Sequence, residues 1–349
     1  MCMDVRDSLF ENKGLSSFES LSVELLYELL EYFNLEQILH SFTNVSSHLD
    51  WIIFNDHCFH FRDVQLSSES RHLHPQIDAT RIISLTLNHN SVCLSKFINL
   101  RSFSLRTRCG HPDRLRKTSE ELLALKKLTS FKLNITGYFW NGEDDYEDPE
   151  DESHGLIPAA LAHSTLKCFT LKAPYVSFPE CNNGLPSSLP VSSSLQYVEI
   201  PSYFTSFCFV DPLNLFPVVR HIYFGSRRPH RLVHPHVHLC SLVLEIYYWP
   251  VVDLYSFLIQ LVVLKKLTVY GFVDFKEKQI FDCTCLLPLM SALRVVDINV
   301  SIHVLPDDET VEQFKQELEK ERIRSMWQEL QITPVVESCT RLKGLLKKK

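Results

Sequence analysis

The stretch Leu100-Arg-Ser-Phe103-Ser-Leu105-Arg106 sets apolar side chains at its first, fourth and sixth positions and polar ones around them. Phe103 and Leu105 alternate with Ser102, Ser104 and Arg106, which is the signature of a short strand with one buried face. The same spacing recurs upstream as Ile82-x-x-Leu85-x-Leu87. Downstream it returns as Leu128-x-x-Phe131-x-Leu133, Leu166-x-x-Phe169-x-Leu171, Leu195-x-x-Val198-x-Ile200 and Val219-x-x-Ile222-x-Phe224. Leu264-x-x-Leu267-x-Val269 and Leu293-x-x-Val296-x-Ile298 complete the series, and a copy near Leu242 is ambiguous in register. Nearly every copy has a polar residue after its first apolar position and another between its last two, so each reads as a half-buried strand.

The copies start mostly 18 to 29 residues apart, and some connectors read as helical: Thr118-x-x-Glu121 is a capping box leading into Leu122, Leu123, Leu125 and Leu128. The array over 81–300 resembles an irregular leucine-rich repeat solenoid. That resemblance implies parallel strands on a concave side, with helices or loops outside. The repeat asparagine three positions after the last leucine occurs once, as Asn90. A compact α/β domain with several apolar strands is the alternative.

Composition sets the wider limits. The chain has 349 residues, 45% of them hydrophobic and 22% charged, enough for a large core and unlike a disordered polar chain. A net charge of −7 argues against a general nucleic-acid binder, which needs a basic face. With nine glycines and no GxGxxG or GxxxxGK[ST] string, glycine-rich phosphate loops do not organise the chemistry. Eleven cysteines without a CxxC pair, and a start at Met1-Cys2-Met3-Asp4 with no apolar leader, point to reduced thiols in the cytoplasm or nucleus. The most membrane-like stretch, 239–264, carries Glu245, Pro250, Asp253 and Gln260 and reads as buried soluble structure rather than a membrane span.

Upstream of the array, 18–54 reads as dense helix. Leu21, Val23, Leu25, Leu26, Leu29, Leu30 and Phe33 leave only Glu24, Glu28 and Glu31 as a narrow polar stripe. Asn34 with Gln37 is a capping pair for a second helix, on which Ile38, Phe42, Val45 and Leu49 repeat, and Trp51-Ile-Ile-Phe54 adds a third apolar patch. A unit this small with this much apolar surface must be covered by something else.

The segment 18–62 resembles an F-box, the helical motif that docks substrate receptors on the Skp-family adaptor of cullin-RING ubiquitin ligases. The resemblance rests on Leu21, Glu24-Leu25-Leu26, Leu29 and Phe33, then Ile38, Val45-Ser46 and Leu49, with departures at Ser22, Gln37 and Leu49. It implies that Leu21, Glu24, Leu25, Leu26, Leu29, Phe33, Ile38 and Val45 bind the adaptor. It further implies that the chain is the substrate-recognition subunit of an SCF-type assembly, presenting its repeats to a protein substrate, with no catalytic residue and no cofactor of its own. A leucine-rich-repeat scaffold unrelated to ubiquitin, with the helices as a solenoid cap, is the competing reading.

The remaining segments are a tail over 1–17, a linker over 63–80, an acidic insertion over 141–154 and a C-terminal helix with a basic tail over 301–349. The helix is expected from Asp307-Asp308-Glu309 at its start and from Val311, Phe314, Leu318, Ile323, Trp327 and Leu330 along one side. His234, His236, His238 and Cys240 would share one face of a strand of period two, as zinc ligands require. Exposed histidines beside repeat strands are the plainer explanation, and no metal is assigned. Cys283-x-Cys285 and His57-Cys58-Phe59-His60 read as structural, and no HExxH or GxSxG string occurs.

The insertion holds Glu143, Asp144, Asp145, Glu147, Asp148, Glu150, Asp151 and Glu152, a block that offers nothing to bury. Replacing 141–154 by a short Gly/Ser link is expected to leave the melting temperature of the full chain nearly unchanged. A drop of several degrees would show that the block packs against the array.

Overall fold

The computed structural model describes residues 20–66, 73–88, 92–108, 112–136, 156–172, 191–200, 212–226, 235–275, 293, 295–304, 329–336 and 339–347. The architecture is α/β, built on one twelve-stranded sheet whose first ten strands lie side by side in chain order. These are β1 (Val64–Leu66), β2 (Ser84–Asn88), β3 (Ser102–Arg108), β4 (Ser130–Thr136), β5 (Cys168–Lys172), β6 (Tyr197–Ile200), β7 (His221–Ser226), β8 (Ser241–Pro250), β9 (Lys266–Phe275) and β10 (Val295–Val304). Nine successive pairings join them, all parallel. The hairpin of β11 (Glu329–Val336) and β12 (Cys339–Lys347) then adds antiparallel to β10 through β12.

The recurring motif sets the register. Leu85, Phe103, Phe131, Phe169, Val198, Ile222, Leu242, Leu267 and Val296, the middle apolar position of each copy, pair in one continuous row. The ambiguous copy is thereby resolved as Leu239-x-x-Leu242-x-Leu244. The first position of every copy is buried as well, from Ile82 to Leu293. Phe103, Phe131 and Phe169 stack along the row with centroids 5.5 and 5.8 Å apart.

Ahead of each strand, the residue after the first apolar position offers one carbonyl to two successive N–H groups of the next copy. Ile83 accepts from Arg101 and Ser102, Arg101 from Thr129 and Ser130, Thr129 from Lys167 and Cys168, and so on to Cys240 accepting from Lys265 and Lys266, all at 2.8–3.0 Å. The corner before it closes by a second rule. Leu100, Leu128, Val219 and Leu264 donate their N–H to the backbone carbonyl three residues earlier. In two other copies a side chain takes over: Ser192 Oγ accepts from Leu195 N–H at 3.3 Å and His236 Nδ1 from Leu239 N–H at 3.1 Å.

Helices α4 (Pro112–Leu122), α5 (Leu156–Ala162), α6 (Pro212–Leu215) and α7 (Val251–Leu258) occupy connectors, as parallel strands require. Leu122, Leu156, Ala160, Leu213, Phe257 and Leu258 enter the same core as the strand residues. A register shift between Tyr247 and Trp249 in β8 breaks the strict alternation and delivers Trp249 to that core, 5.7 Å from the Phe257 ring. Opposite Ile246 the chain needs Gly271, with φ +120° and no room for a Cβ, which would lie 2.0 Å from the Ile246 carbonyl oxygen.

Several expectations are corrected. The linker region begins with a strand, β1, because Val64 and Leu66 supply the alternating buried pair that continues the rows of Leu85 and Leu87. The Thr118-x-x-Glu121 box does not start a helix: both residues lie in the second half of α4, and the Glu121 carboxylate instead accepts from the Leu94 N–H. Leu330, assigned to a C-terminal helix, lies in β11, and Lys347, assigned to a tail, ends β12. The segment 305–328 that carried the rest of that helix, and the acidic insertion 141–154, lie outside the described residues.

Phe131 sits between two stacked rings with no exposed surface to relax into. Phe131→Ala is expected to lower the unfolding free energy by about 3–5 kcal/mol, the range for deleting a buried aromatic ring. Urea unfolding followed by far-ultraviolet circular dichroism checks it, and a loss under 1 kcal/mol would mean the row is loosely packed.

Candidate functional site

Residues alternating with the core rows form the open face of the sheet. One row runs Thr86, Ser104, Lys132, Thr170, Glu199, Tyr223, Val243, Thr268 and Asp297. Beside it Arg106 precedes Asn134 and Lys172, and Glu245 precedes Tyr270 and Asn299. On this face Arg106, Lys132 and Lys172 are on β3 to β5 and Glu199, Glu245 and Asp297 on β6, β8 and β10, with the exposed Lys266 on β9 among the latter. At the boundary Lys172 Nζ lies 3.4 Å from Glu199 Oε1, and Thr170 Oγ1 donates to Glu199 Oε2 at 3.4 Å.

Tyrosines gather around Glu245 on this face. Tyr223 donates to Glu245 Oε2 at 3.3 Å, Tyr247 donates to Glu245 Oε1 at 2.5 Å, and the Tyr270 hydroxyl donates to the Tyr223 hydroxyl. The Tyr223 and Tyr270 rings tilt together with centroids 6.2 Å apart. Burial, reinforced by the Glu245 charge, pushes both phenols above their ordinary range, so the hydroxyls stay protonated donors at neutral pH.

The N-terminal helices α1 (Val23–Leu30), α2 (Leu35–Phe42) and α3 (Ser47–Phe54) carry the residues that the resemblance singled out. Ser22 caps α1, and Asn34 with Gln37 forms the expected reciprocal capping box on α2. The expected second helix is in fact two: it stops at Phe42, Asn44 takes φ +61°, and Ser46 caps α3, so Val45 lies in the turn and Leu49 on the next helix. Of the eight residues, Leu26 and Ile38 are buried in the chain's own core, while Leu21, Leu29 and Phe33 are half-buried against it. Glu24 is exposed, and Leu25 and Val45 keep 52% and 49% of their surface open. Trp51 on α3, which the sequence reading placed in an apolar patch without assigning it a partner, is 50% exposed.

A buried arginine fastens these helices to the sheet. Arg81 donates from Nη2 to the Ile52 carbonyl at 2.8 Å, from Nη1 to Ile53 at 2.8 Å and from Nε to Phe59 at 3.1 Å. Its guanidinium lies 4.8 Å from the Phe61 ring centroid. A cation is well placed there, because the last carbonyls of α3 lack helical partners and carry the negative end of the dipole. Asp56 beside it is buried and accepts from the Tyr27 hydroxyl and, at 2.8 Å, from the Cys58 N–H. Burial alone would raise the Asp56 carboxyl, but the Tyr27 hydroxyl, the Cys58 N–H and the Arg81 charge outweigh it and hold the group below the usual carboxylate range.

His236 and His238 do not form the shared ligand face that the histidine run suggested. His236 precedes β8 rather than lying in a strand; it is buried while His238 is exposed, so the two do not share a face. His236 Nδ1 accepts from Leu239 N–H, which makes Nε2 the donor to the Phe216 carbonyl at 3.0 Å and leaves no lone pair for a metal. His234 lies outside the described residues, among which no group of metal-ligating side chains occurs. Among them, too, no helix is long and apolar enough to cross a membrane.

Two features escaped sequence reasoning. Arg81 reads as a lone cation at the start of the array, with carbonyl partners 22 to 29 residues away. Tyr223, Glu245 and Tyr270 are joined only by register, and the signal that finds them is the recurrence of tyrosine or glutamate between the last two apolar positions of a copy or just beyond them. Compared with known proteins, the chain matches no protein-family model and no curated protein.

The lowered Asp56 carboxyl has a definite consequence for pH. A carboxylate whose native pKa lies below its unfolded value stabilises the fold above the unfolded pKa, and that contribution is lost as pH falls through the native one. Asp56→Asn is therefore expected to melt earlier than wild type at neutral pH, with the gap closing as pH drops below about 4, the unperturbed range for aspartate. A gap independent of pH would assign the loss to shape rather than charge.

Proposed function

We propose that the chain is the substrate-recognition subunit of an SCF-type ubiquitin ligase, holding a Skp-family adaptor through 18–62 and a protein substrate on the open face of a leucine-rich-repeat solenoid. The observation that carries the reading is the way the N-terminal helices divide their leucines. Leu26, Leu30, Ile38 and Leu49 build the core, while Leu25, Val45 and Trp51 stay half open on a unit too small to spare apolar surface. The one-copy-one-strand register and the repeated carbonyl bond support the solenoid. In this reading the chemistry is proximity: a bound substrate lysine is held near an E2 carried elsewhere in the assembly, raising its effective concentration.

The scaffold reading also has an observation in its favour. Arg81 and the continuous core join the helices to the first strands of the sheet, as a cap would be joined. Adaptor binding separates the two. The full chain should co-purify with a Skp-family adaptor, and Leu25→Asp should weaken that binding by about 2 kcal/mol or more while leaving the melting temperature within a degree or two. Leu26→Asp, which buries a charge, should instead unfold the helical unit. No capture by the wild-type chain would leave the scaffold, and undiminished capture by Leu25→Asp would move the adaptor surface off α1.

A further inference from the structure

On β8 the open face holds a carboxylate, Glu245, that has no counter-ion among the described residues. Glu199 is paired with Lys172, but among the described residues no lysine or arginine lies within ion-pair distance of Glu245. Glu245 is half-buried, so its charge is only partly hydrated, and its neighbours are phenols rather than cations. Each of its oxygens takes one tyrosine proton, Oε2 from Tyr223 and Oε1 from Tyr247, and each keeps a further lone pair. The hydroxyl chain from Tyr270 through Tyr223 to Glu245 fixes the rings around the carboxylate. Electron-rich ring faces beside a fixed carboxylate attract a cation through both the ring quadrupole and the charge.

We propose that Glu245, with Tyr223, Tyr247 and Tyr270, receives the guanidinium of an arginine side chain from the protein that docks on this face. The identity of that protein as a ligase substrate rests on the reading given above; the arginine site does not. Arginine fits better than lysine because its planar fork matches the two free lone-pair directions of a carboxylate and its face stacks on a phenol ring, whereas an ammonium is a compact, strongly hydrated point. Charge also orients the docked segment. Arg106, Lys132 and Lys172 repel a guanidinium from β3 to β5 and Lys266 repels it from the start of β9, so the arginine sits at Glu245 on β8 and acidic residues of the same segment fall toward β3 to β5.

The probe is an acetylated, amidated hexapeptide of glycine and serine with Arg-Arg at its centre, beside Lys-Lys and Glu-Glu counterparts, titrated calorimetrically into the full chain at low ionic strength. The arginine peptide is expected to bind several-fold more tightly than the lysine peptide, and the glutamate peptide not at all. Glu245→Gln keeps a hydrogen-bond acceptor for the tyrosines and is expected to weaken the arginine peptide about tenfold, equivalent to about 1.4 kcal/mol. Asp144→Asn with Asp145→Asn, which removes two negative charges rather than one but touches only the acidic insertion, should change affinity less than twofold. Tyr270→Leu leaves both direct bonds to Glu245 in place and should also weaken the arginine peptide. Equal affinity for the arginine and lysine peptides, unaltered binding by Glu245→Gln, or a larger loss from the insertion variant would overturn the site. If Glu245→Gln melts early, the peptide comparison on the wild-type chain and the Tyr270→Leu titration decide. Adaptor capture is scored on the same preparations: arginine binding without capture rejects the ligase reading alone, and capture without arginine binding rejects the site alone.

Discussion

One carbonyl per copy, accepting from two successive N–H groups of the next, is the constraint on which the sheet depends. It sits just after the first apolar position and just before the strand, so it fixes where each strand starts relative to its neighbour. Parallel strands have no hairpin to set their register, and a slip of one residue would turn every buried side chain to the open face. The carbonyl at Ile83, Arg101, Thr129, Lys167, Gln196, Arg220 and Cys240 removes that freedom whatever the connector does. Starts of copies as near as Ile82 and Leu100, or as far apart as Leu128 and Leu166, therefore yield the same alignment.

This constraint also explains what was legible in the sequence. It is met by backbone groups, so it leaves no mark on residue identity, but the strand it aligns must alternate, and alternation is visible. The strands β2 to β7, β9 and β10 followed from the apolar spacing alone, and the doubtful copy on β8 was settled only when Leu242 was seen to pair with Ile222 and Leu267. The capping box of Asn34 and Gln37 was readable because both partners are three residues apart. Val64–Leu66 was missed because three residues carry too little periodicity to stand out beside polar neighbours. Thr118 and Glu121 misled for the opposite reason: the local string was right for a cap, but Glu121 is engaged by Leu94, 27 residues earlier.

The candidate surfaces divide in the same way. The apolar richness of 18–54 announced a unit in need of cover, yet residue type alone does not say which leucine turns inward. Leu25 and Leu26 are adjacent and chemically identical, and only the packing of α1 makes one half exposed and the other fully buried. Arg81 was invisible as a structural residue because its role comes from three carbonyls gathered from α3 and the turn after it. A buried guanidinium with three acceptors and an acidic neighbour is expensive to break, since removing one side strands the other without water. The helical unit and the first strands are thereby coupled, so a force on the surface of α1 to α3 is carried into the sheet rather than absorbed in a loose hinge.

That coupling bears on how a docked protein would be held. A proximity mechanism needs its two binding surfaces kept at a set separation, because effective concentration falls when the joint between them is slack. Here the joint is Arg81 over the Phe61 ring, with Phe61 itself bonded to Arg81 and Ile83 through the backbone, and Ile83 is the first carbonyl of the ladder. The same run of bonds that aligns the strands therefore begins at the residue that anchors the helices. From there it passes copy by copy to β7, β8 and β9, where Tyr223, Glu245 and Tyr270 stand on the open face. The distance between the half-exposed Leu25 and the tyrosine-ringed carboxylate is thus set by the Arg81 side chain at the joint and by backbone hydrogen bonds from there on.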